Sequence, residues 1–174
     1  MTECLKIFRA NEKAIIPSYS TQSSACFDLH ACITPDIPIK FHLPYDNSSA
    51  EWQGFFQPDY KDKIDLWPKH RYLIPTGLIF DIPFGHSIRV HPRSGLALKN
   101  GITLMNCEGV IDEDYVEPVY VILLNTSEVR FTIKNGDRIA QAELVKDLKA
   151  EFLEIGERPV SKTNRSGGFG STGL

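Results

Sequence analysis

The sequence predicts an all-β domain, and three observations lead to that class. Short runs rich in Val, Ile, Leu, Phe and Tyr recur along the chain between Pro, Gly, Asn and Asp residues, a pattern typical of β proteins. Helical periodicity is almost absent, apart from a single turn that fits residues 94–99. Residues 134–137 contain an Asn-Gly pair, which tolerates positive φ and predicts a tight turn. The predicted strands cover residues 5–9, 26–33, 72–82, 87–90, 118–124, 129–133 and 138–145.

Length, charge and cysteine content limit the class of protein. The 174 residues fit one domain that is large enough to bury a core. A net charge of -3 argues against direct nucleic-acid binding, which needs a basic face. The four cysteines lack CxxC spacing and are expected to be reduced packing residues. Because no signal region begins the chain and no apolar run is long enough to span a membrane, we expect a cytoplasmic protein without membrane contact.

Two segments depart from the strand pattern. Residues 38–66 mix aromatic with polar residues without clean alternation, which predicts an insertion in a domain that covers residues 1–160. The aromatic residues between positions 45 and 60 form either a local mini-core or a patch for a protein partner. Residues 161–174 are polar and Gly-rich and predict a flexible C-terminal arm, which is either dispensable or folds over a ligand.

Acidic, aromatic and cationic residues typical of a nucleotide site fall between positions 92 and 115. Asp112 can orient a water molecule as a general base, and the ring of Tyr115 can pack against a sugar. Arg93, Ser94 and Gly95 offer a guanidinium, a hydroxyl and backbone N–H groups to a polyphosphate. The Gly-rich end of the chain is a second anion-binding signal.

Five short motifs follow one another along the chain. They are Ala25-Cys26-Phe27-Asp28-Leu29, Pro92-Arg93-Ser94-Gly95-Leu96-Ala97, residues 106–115 with Gly109-Val110-Ile111-Asp112, Gly136-Asp137-Arg138-Ile139-Ala140-Gln141, and Gly168-Phe169-Gly170-Ser171-Thr172-Gly173. In identity and order they resemble the motifs of the homotrimeric all-β deoxyuridine 5'-triphosphate nucleotidohydrolases (dUTPases), and the predicted insertion is similar to that of phage-encoded members. Cys26 departs from the family pattern, which usually has Gly at this position.

The resemblance implies a fold and a reaction. The subunit would be a distorted jelly-roll β-barrel, the dUTPase-like β-clip, and three subunits would share active sites at their interfaces. The enzyme would hydrolyse dUTP to dUMP and pyrophosphate with Mg²⁺. That reaction keeps uracil out of DNA and supplies dUMP for thymidylate synthesis. No residue would bind the metal directly, because the phosphates of the substrate would hold it.

The resemblance also implies roles for the motif residues. Asp112 would activate the water that attacks the α-phosphorus. Residues 106–115 would form a β-hairpin whose backbone reads the uracil edge and excludes thymine and cytosine, and Tyr115 would lie under the deoxyribose. The substrate-binding residues would be Arg93, Ser94, Gly95, Asn106, Gly109, Val110, Ile111, Tyr115, Gln141, Arg165, Phe169, Gly170, Ser171 and Thr172.

The phosphate contacts would come from two parts of the chain. The loop at residues 93–95 and Gln141 would bind phosphate in one subunit, and the arm would reach the phosphates of a neighbouring subunit's site while Phe169 stacks over the base. Either Arg165 or Asn164 would supply the cationic or polar contact of the arm. Asp28 would organise water or metal, or accept N–H groups in a turn, and Arg138 would pair with an acid.

Two other functions remain open at this point. A dCTP deaminase of similar fold would need a glutamate that activates water for attack at C4, whereas Asp112 and Tyr115 favour attack at phosphorus. A regulatory protein would grip a partner through the insertion, with the nucleotide setting its state.

Overall fold

The computed structural model describes residues 3–35, 37, 39–42, 54–55 and 62–164. These residues form short strands and one helix, so the predicted all-β class is confirmed. The strands are β1 (Lys6–Arg9), β2 (Phe27–His30), β3 (Lys40–His42), β4 (Gly54–Phe55), β5 (Lys63–Leu66), β6 (Arg71–Pro75), β7 (Leu78–Asp81), β8 (His86–His91), β9 (Ile102–Leu104), β10 (Gly109–Ile111), β11 (Tyr120–Asn125), β12 (Phe131–Lys134) and β13 (Arg138–Lys146), and the helix is α1 (Ser94–Asn100). Among the described residues, no helix is long and apolar enough to cross a bilayer.

Two larger sheets carry most of the described chain. One has the strand order β10-β8-β13-β2, and the other has the order β4-β3-β6-β11-β9. All of their pairings are antiparallel. Two further pairs, β1 with β7 and β12 with β5, form two-stranded sheets. The strands alternate buried and exposed side chains, so one face of each sheet contributes to a common core.

The core is a single apolar cluster to which nearly every strand contributes. Its largest fully buried side chains are Tyr72, Phe80, Leu29, Ile64, Leu66, Ile74, Leu78, Ile88, Ile102, Leu123, Ile133 and Ile139. The predicted strand at residues 72–82 is divided into β6 and β7 at Gly77, whose φ is +69°. A Cβ at Gly77 would lie 2.8 Å from the Sγ atom of Cys32, so the bend also needs the missing side chain.

Both ends of the predicted insertion belong to the sheets of the domain. Strand β3 pairs with β6, and β5 pairs with β12, with Ile64 and Leu66 in the core. Residues 40–42 and 63–66 of the predicted insertion are thus paired strands, and strands of three or four residues are too short to show clean alternation in the sequence. Residues 43–53 and 56–61 lie outside the described residues, and so does most of the expected partner patch.

Residues 106–115 do not form a self-paired hairpin. Strands β9 and β10 are joined by a tight turn, but β9 pairs with β11 and β10 pairs with β8. This corrects the pairing predicted from the sequence, because the hydrogen-bonding partner of a strand depends on distant parts of the chain. The tight turn predicted at residues 134–137 is confirmed, and the N–H of Asp137 donates to the carbonyl of Lys134 at 3.1 Å.

The side chain of Asn125 joins three segments inside the domain. Its amide donates to the carbonyls of Leu66 and Val129 at 2.8 Å each, and its Oδ1 accepts from the backbone N–H and hydroxyl of Ser127 at 2.9 and 2.7 Å. Asn125 is fully buried and its bond to Leu66 is buried with it, so water cannot replace that partner, whereas the other three bonds are partly buried.

Asn125→Ala should lower the free energy of unfolding by about 2–4 kcal/mol, because it removes one buried and three partly buried hydrogen bonds. Urea denaturation at a fixed protein concentration measures this change. Asn164→Ala, at an exposed position, is the matched control and should change little. A loss below about 1 kcal/mol for Asn125→Ala would show that the segments are held by other contacts.

Candidate active site

A cleft of about 280 Å³ opens between the turn that joins β9 to β10 and the outer face of the β6–β11 pair. Its walls are mostly apolar, and the residues that line it are Leu73, Val90, Leu104, Asn106, Gly109, Val110, Ile111, Asp112, Tyr115, Val119, Tyr120, Val121 and Ile122. Six of these, from Asn106 to Tyr115, were predicted from the sequence as site residues. A concave apolar wall with a few polar groups is typical of a small-molecule site.

The backbone of β9 and β10 borders this cleft. Each strand lies at the edge of its sheet and has a paired neighbour on one side only. The other edge of an edge strand offers N–H and C=O groups to a ligand. Gly109 brings β10 close to β8, since a Cβ there would lie 3.1 Å from the Cβ of Val90. The cleft can therefore present backbone groups to a flat, polar molecule.

Asp112 and Tyr115 are held together by one turn after β10. The N–H of Tyr115 donates to the carbonyl of Asp112 at 3.1 Å, and the Tyr115 hydroxyl donates to the carbonyl of Pro118 at 3.2 Å. The Tyr115 ring is thus fixed at the cleft wall. The Asp112 side chain is exposed, and no described residue donates a hydrogen bond to its carboxylate. An exposed, unbonded carboxylate beside a cleft is able to accept a proton from water.

Glu113 connects the same turn to the loop between β7 and β8. Its carboxylate accepts a hydrogen bond from the N–H of Gly85 in the loop between β7 and β8. Glu113 was not predicted from the sequence, since its partner lies 28 residues away and no local signal connects the two positions.

A second cluster of predicted residues lies around the carboxylate of Asp28. Nε of Arg93 donates to Oδ1 of Asp28, and Nη1 of Arg138 and the hydroxyl of Ser20 donate to Oδ2, each at 3.1 Å. Burial by itself would raise the pKa of Asp28, but the hydrogen bonds from Arg138 and Ser20 and the charges of Arg93 and Arg138 outweigh burial and lower that pKa. Asp28 therefore anchors two arginines, and it accepts side-chain donors here instead of the turn N–H groups considered from the sequence.

Gln141 and the start of α1 complete the second cluster. Gln141 pairs with Asp28 on one side and with His91 on the other, and its amide donates to the carbonyl of Pro92 at 3.0 Å. Ser94 and Gly95 are exposed in the first turn of α1, and nothing lies within 4 Å of the place a Gly95 Cβ would take. Arg93, at the N-cap, makes no side-chain capping bond to the helix. The first N–H groups of α1 therefore face open space near a cation.

Asp112 and Arg93 lie beside opposite ends of β8, whereas Gly109, which also lines the cleft, pairs with Val90. Ile111 pairs with Ile88, which places Asp112 beside the first residues of β8, whereas Arg93 follows its last residue. The length of strand from Ser87 to Arg93 corresponds to about 20 Å at roughly 3.3 Å per residue. One chain therefore does not bring Asp112 and Arg93 to the same phosphate.

Several wall residues were missed from the sequence. Tyr120 and Ile122 occupy the outward positions of β11, each 37% exposed, and alternate with the buried Val119, Val121 and Leu123. Such alternation is typical of any half-buried strand, so it carries no signal for a cleft wall. The arm residues Arg165, Phe169, Gly170, Ser171 and Thr172 lie outside the described residues.

Asp28→Asn should lower the free energy of unfolding at pH 7 by about 1–3 kcal/mol, because the two arginines lose their charged partner. The folded pKa of Asp28 lies below its unfolded value, so the stability due to its charge is complete above about pH 4 and is lost as the pH falls through the folded pKa. The difference between variant and wild type should therefore shrink in acid. Urea denaturation from pH 7 to pH 3 measures it, with Glu128→Gln in an exposed ion pair as control. A difference that does not change with pH would contradict this assignment.

Comparisons with known proteins identify the family of the chain. The dUTPase family model matches residues 60–173. A deoxyuridine 5'-triphosphate nucleotidohydrolase from Nautilia profundicola is 41% identical over 170 residues, which covers 97% of this chain and 98% of the relative.

Two solved structures show the same fold. The dUTPase of Staphylococcus bacteriophage 80alpha with dUPNHPP has a TM-score of 0.71 and 18% identity, covering 99% of this chain and 100% of that one. A mutant dUTPase from phage phi11 of S. aureus, described with a structural Mg(II) ion, has a TM-score of 0.66 and 17% identity, covering 89% and 98%. The matched family model and the relative that is 41% identical over nearly the whole length show that this chain belongs to the dUTPase family.

Proposed function

We propose that the cleft beside β10 binds the deoxyuridine part of dUTP, which this enzyme hydrolyses to dUMP and pyrophosphate. The observation that carries the proposal is the arrangement of one apolar cleft, a free strand edge, the fixed Tyr115 ring and the exposed Asp112 carboxylate. The strand edge would hydrogen-bond the uracil, and Tyr115 would lie against the deoxyribose where a 2′-hydroxyl has no room.

In the proposed mechanism, Asp112 accepts a proton from the water that attacks the α-phosphorus. Arg93, Ser94, the Gly95 backbone and Gln141 bind the phosphates and stabilise the charge that develops there. Asp28 and Arg138 hold the Arg93 guanidinium in place: Arg93 has five N–H donors, and its bonds to Asp28 and to the carbonyl of Arg138 leave others for phosphate.

Magnesium is proposed to enter with the triphosphate. Among the described residues, no His, Cys, Asp and Glu side chains form a group of three or more arranged as a metal site. The Asp28 oxygens already accept three donors, so this donor set suits an ion that is held by phosphate oxygens and water. When bound, Mg²⁺ withdraws charge from the phosphates and favours attack at phosphorus.

The active enzyme is proposed to be a homotrimer with sites between subunits. Asp112 of one chain and Arg93 of another would then meet at one triphosphate, which the length of β8 prevents within a chain. The residues after β13 support association, because Leu148, Phe152, Leu153 and Val160 are each more than 85% exposed in the single chain. The arm residues would close over the nucleotide, with Phe169 on the base and Arg165 or Asn164, Ser171 and Thr172 at the phosphates.

Substrate choice tests the proposed cleft. Pyrophosphate release should occur with dUTP and fall steeply with dTTP, dCTP and UTP, because the strand edge and Tyr115 exclude the methyl group, the amino group and the 2′-hydroxyl. Release should also require Mg²⁺. A coupled phosphate assay after pyrophosphatase treatment measures each substrate with and without the ion. Ammonia release from dCTP would instead support the deaminase, and no turnover of any nucleotide would support a binding protein.

Mixed subunits test the shared site. Asp112→Asn should bind a non-hydrolysable dUTP analogue and lose about 10² to 10⁴ in turnover, and Arg93→Ala should be impaired by weaker phosphate binding. When the two inactive variants are mixed, unfolded and refolded together, random trimers should recover about one quarter of wild-type activity, since mixed trimers contain one intact site.

The control for this experiment mixes Asp112→Asn with a variant that changes both Asp112 and Arg93, a pair that contains no intact combination. Asp114→Asn, in the same exposed turn, should keep turnover close to wild type. If the first mixture stays inactive although mixed trimers are present, the site is not shared in the proposed way.

A further inference from the structure

His91 lies between two carboxylates that belong to different parts of the chain. Its Nε2 is 3.1 Å from Oε1 of Glu143 on β13, and its Nδ1 is 3.7 Å from Oε1 of Glu108. Glu108 belongs to the turn that joins β9 to β10. The imidazole therefore bridges the sheet and the turn that borders the cleft.

That turn is strained and needs support from its surroundings. Cys107 has a φ of +60°, which residues other than glycine rarely adopt. The N–H of Glu108 donates to the carbonyl of Asn106 at 2.6 Å, so the chain reverses within three residues. A residue in this conformation costs of the order of 1–3 kcal/mol, and it persists only where neighbouring contacts hold it.

The chemistry of the three side chains suits a clamp. The 3.1 Å contact lets Nε2 of the ring donate a hydrogen bond to Glu143, whereas the 3.7 Å contact of Nδ1 with Glu108 is longer than a hydrogen bond and acts through charge when the ring is protonated. The His91 side chain is 26% exposed, which shields the two contacts from solvent more than in a fully exposed pair. Glu143 is fixed in β13, so the free partner of the clamp is the turn.

We propose that His91 is a positioning residue that holds the turn at residues 105–108, and through it the cleft edge of Asn106 and β10, in the geometry that receives the base. His91 does not line the cleft itself. The inference rests on the proposed function, since the position of this turn matters for dUTP only if the cleft binds uracil. Neither Glu108 nor Glu143 is needed for the attack at phosphorus.

Steady-state kinetics with dUTP test the clamp. His91→Ala and Glu108→Ala should each raise KM about three- to tenfold, because a partly shielded ion pair no longer orders the turn. The kcat should change by less than about twofold, because Asp112 is held separately by Tyr115 and Glu113. The double variant should be no worse than either single variant, since both remove the same contact. His91→Gln, whose amide can still donate to one carboxylate, should lie between His91→Ala and wild type.

The matched control is Asp81→Ala, which removes an exposed ion pair with Lys6 at 3.0 Å on the separate β1–β7 pair. It should leave KM and kcat unchanged. Thermal unfolding and oligomeric state are measured for every variant, and Glu108→Ala, at a half-exposed position, keeps the test valid if His91→Ala folds poorly. An unchanged KM in Glu108→Ala, equal losses in kcat and kcat/KM, or additive effects in the double variant would overturn the clamp.

Tyr115→Ala separates failure of the clamp from failure of the proposed function. If Tyr115→Ala raises KM for dUTP and the His91 and Glu108 variants do not, only the clamp is wrong. If none of these variants changes KM, the cleft is not the nucleotide site, and both proposals fail.

Discussion

The antiparallel pairing of β8 with β10 on one side and β13 on the other is the constraint on which the candidate site depends. It sets the register that places the Asp112 turn at the start of β8 and Arg93 just beyond its end. Because the rise per residue of a strand is fixed, the paired sheet keeps Asp112 and Arg93 at a fixed separation. The same pairing brings Gln141 beside the loop at Pro92. A shift of the strand register by one residue would turn every side chain of β8 to the opposite face of the sheet, and the residues of both clusters would no longer meet.

Pairing with Asp28 explains how two arginines are held close together in a chain of net charge -3. Asp28 takes the hydrogen bonds of two arginines while little of its carboxylate is exposed. An acid in this position weakens the net attraction for phosphate, but it fixes the direction in which Arg93 points. Orientation is worth more than extra charge where a planar guanidinium must meet phosphate oxygens in one geometry. His91 has a comparable role beside the proposed base-binding cleft. Its contacts with Glu108 and Glu143 fix the direction of the backbone in the turn at residues 105–108.

The sequence predicted those features that are local and missed those that depend on distant pairing. The turn at residues 134–137 and most of the described strands were predicted, and α1 was expected as a single helical turn at residues 94–99, because turn residues and β-rich runs carry their own signal. The five motifs contained six residues of the cleft and, in the second cluster, Asp28, Arg93, Arg138 and Gln141. The motifs could not show that these residues form two clusters, because the register between β8 and β10 depends on both strands and cannot be predicted from either segment alone. The positive φ of Cys107 could not be predicted, because Cys is not a residue expected in that conformation. The contact of His91 with Glu143 could not be predicted either, because 52 positions separate the two residues.

The proposed division of the site between chains ties catalysis to assembly. If Asp112 and Arg93 act on one nucleotide only across an interface, neither site of a dissociated subunit is complete. Its base-binding cleft lacks the phosphate-binding loop of a neighbour, and its own phosphate-binding loop lacks a neighbour's cleft. Association then has to be tight at working concentrations, and this requires apolar surface beyond that of the core. Exposed side chains such as Leu148 and Phe152, each 98% exposed, lie in the segment between β13 and the Gly-rich arm. Burying these side chains against a neighbouring copy would stabilise the oligomer and would direct the arm towards that neighbour's site. The same segment would then contribute both to assembly and to closure of the site.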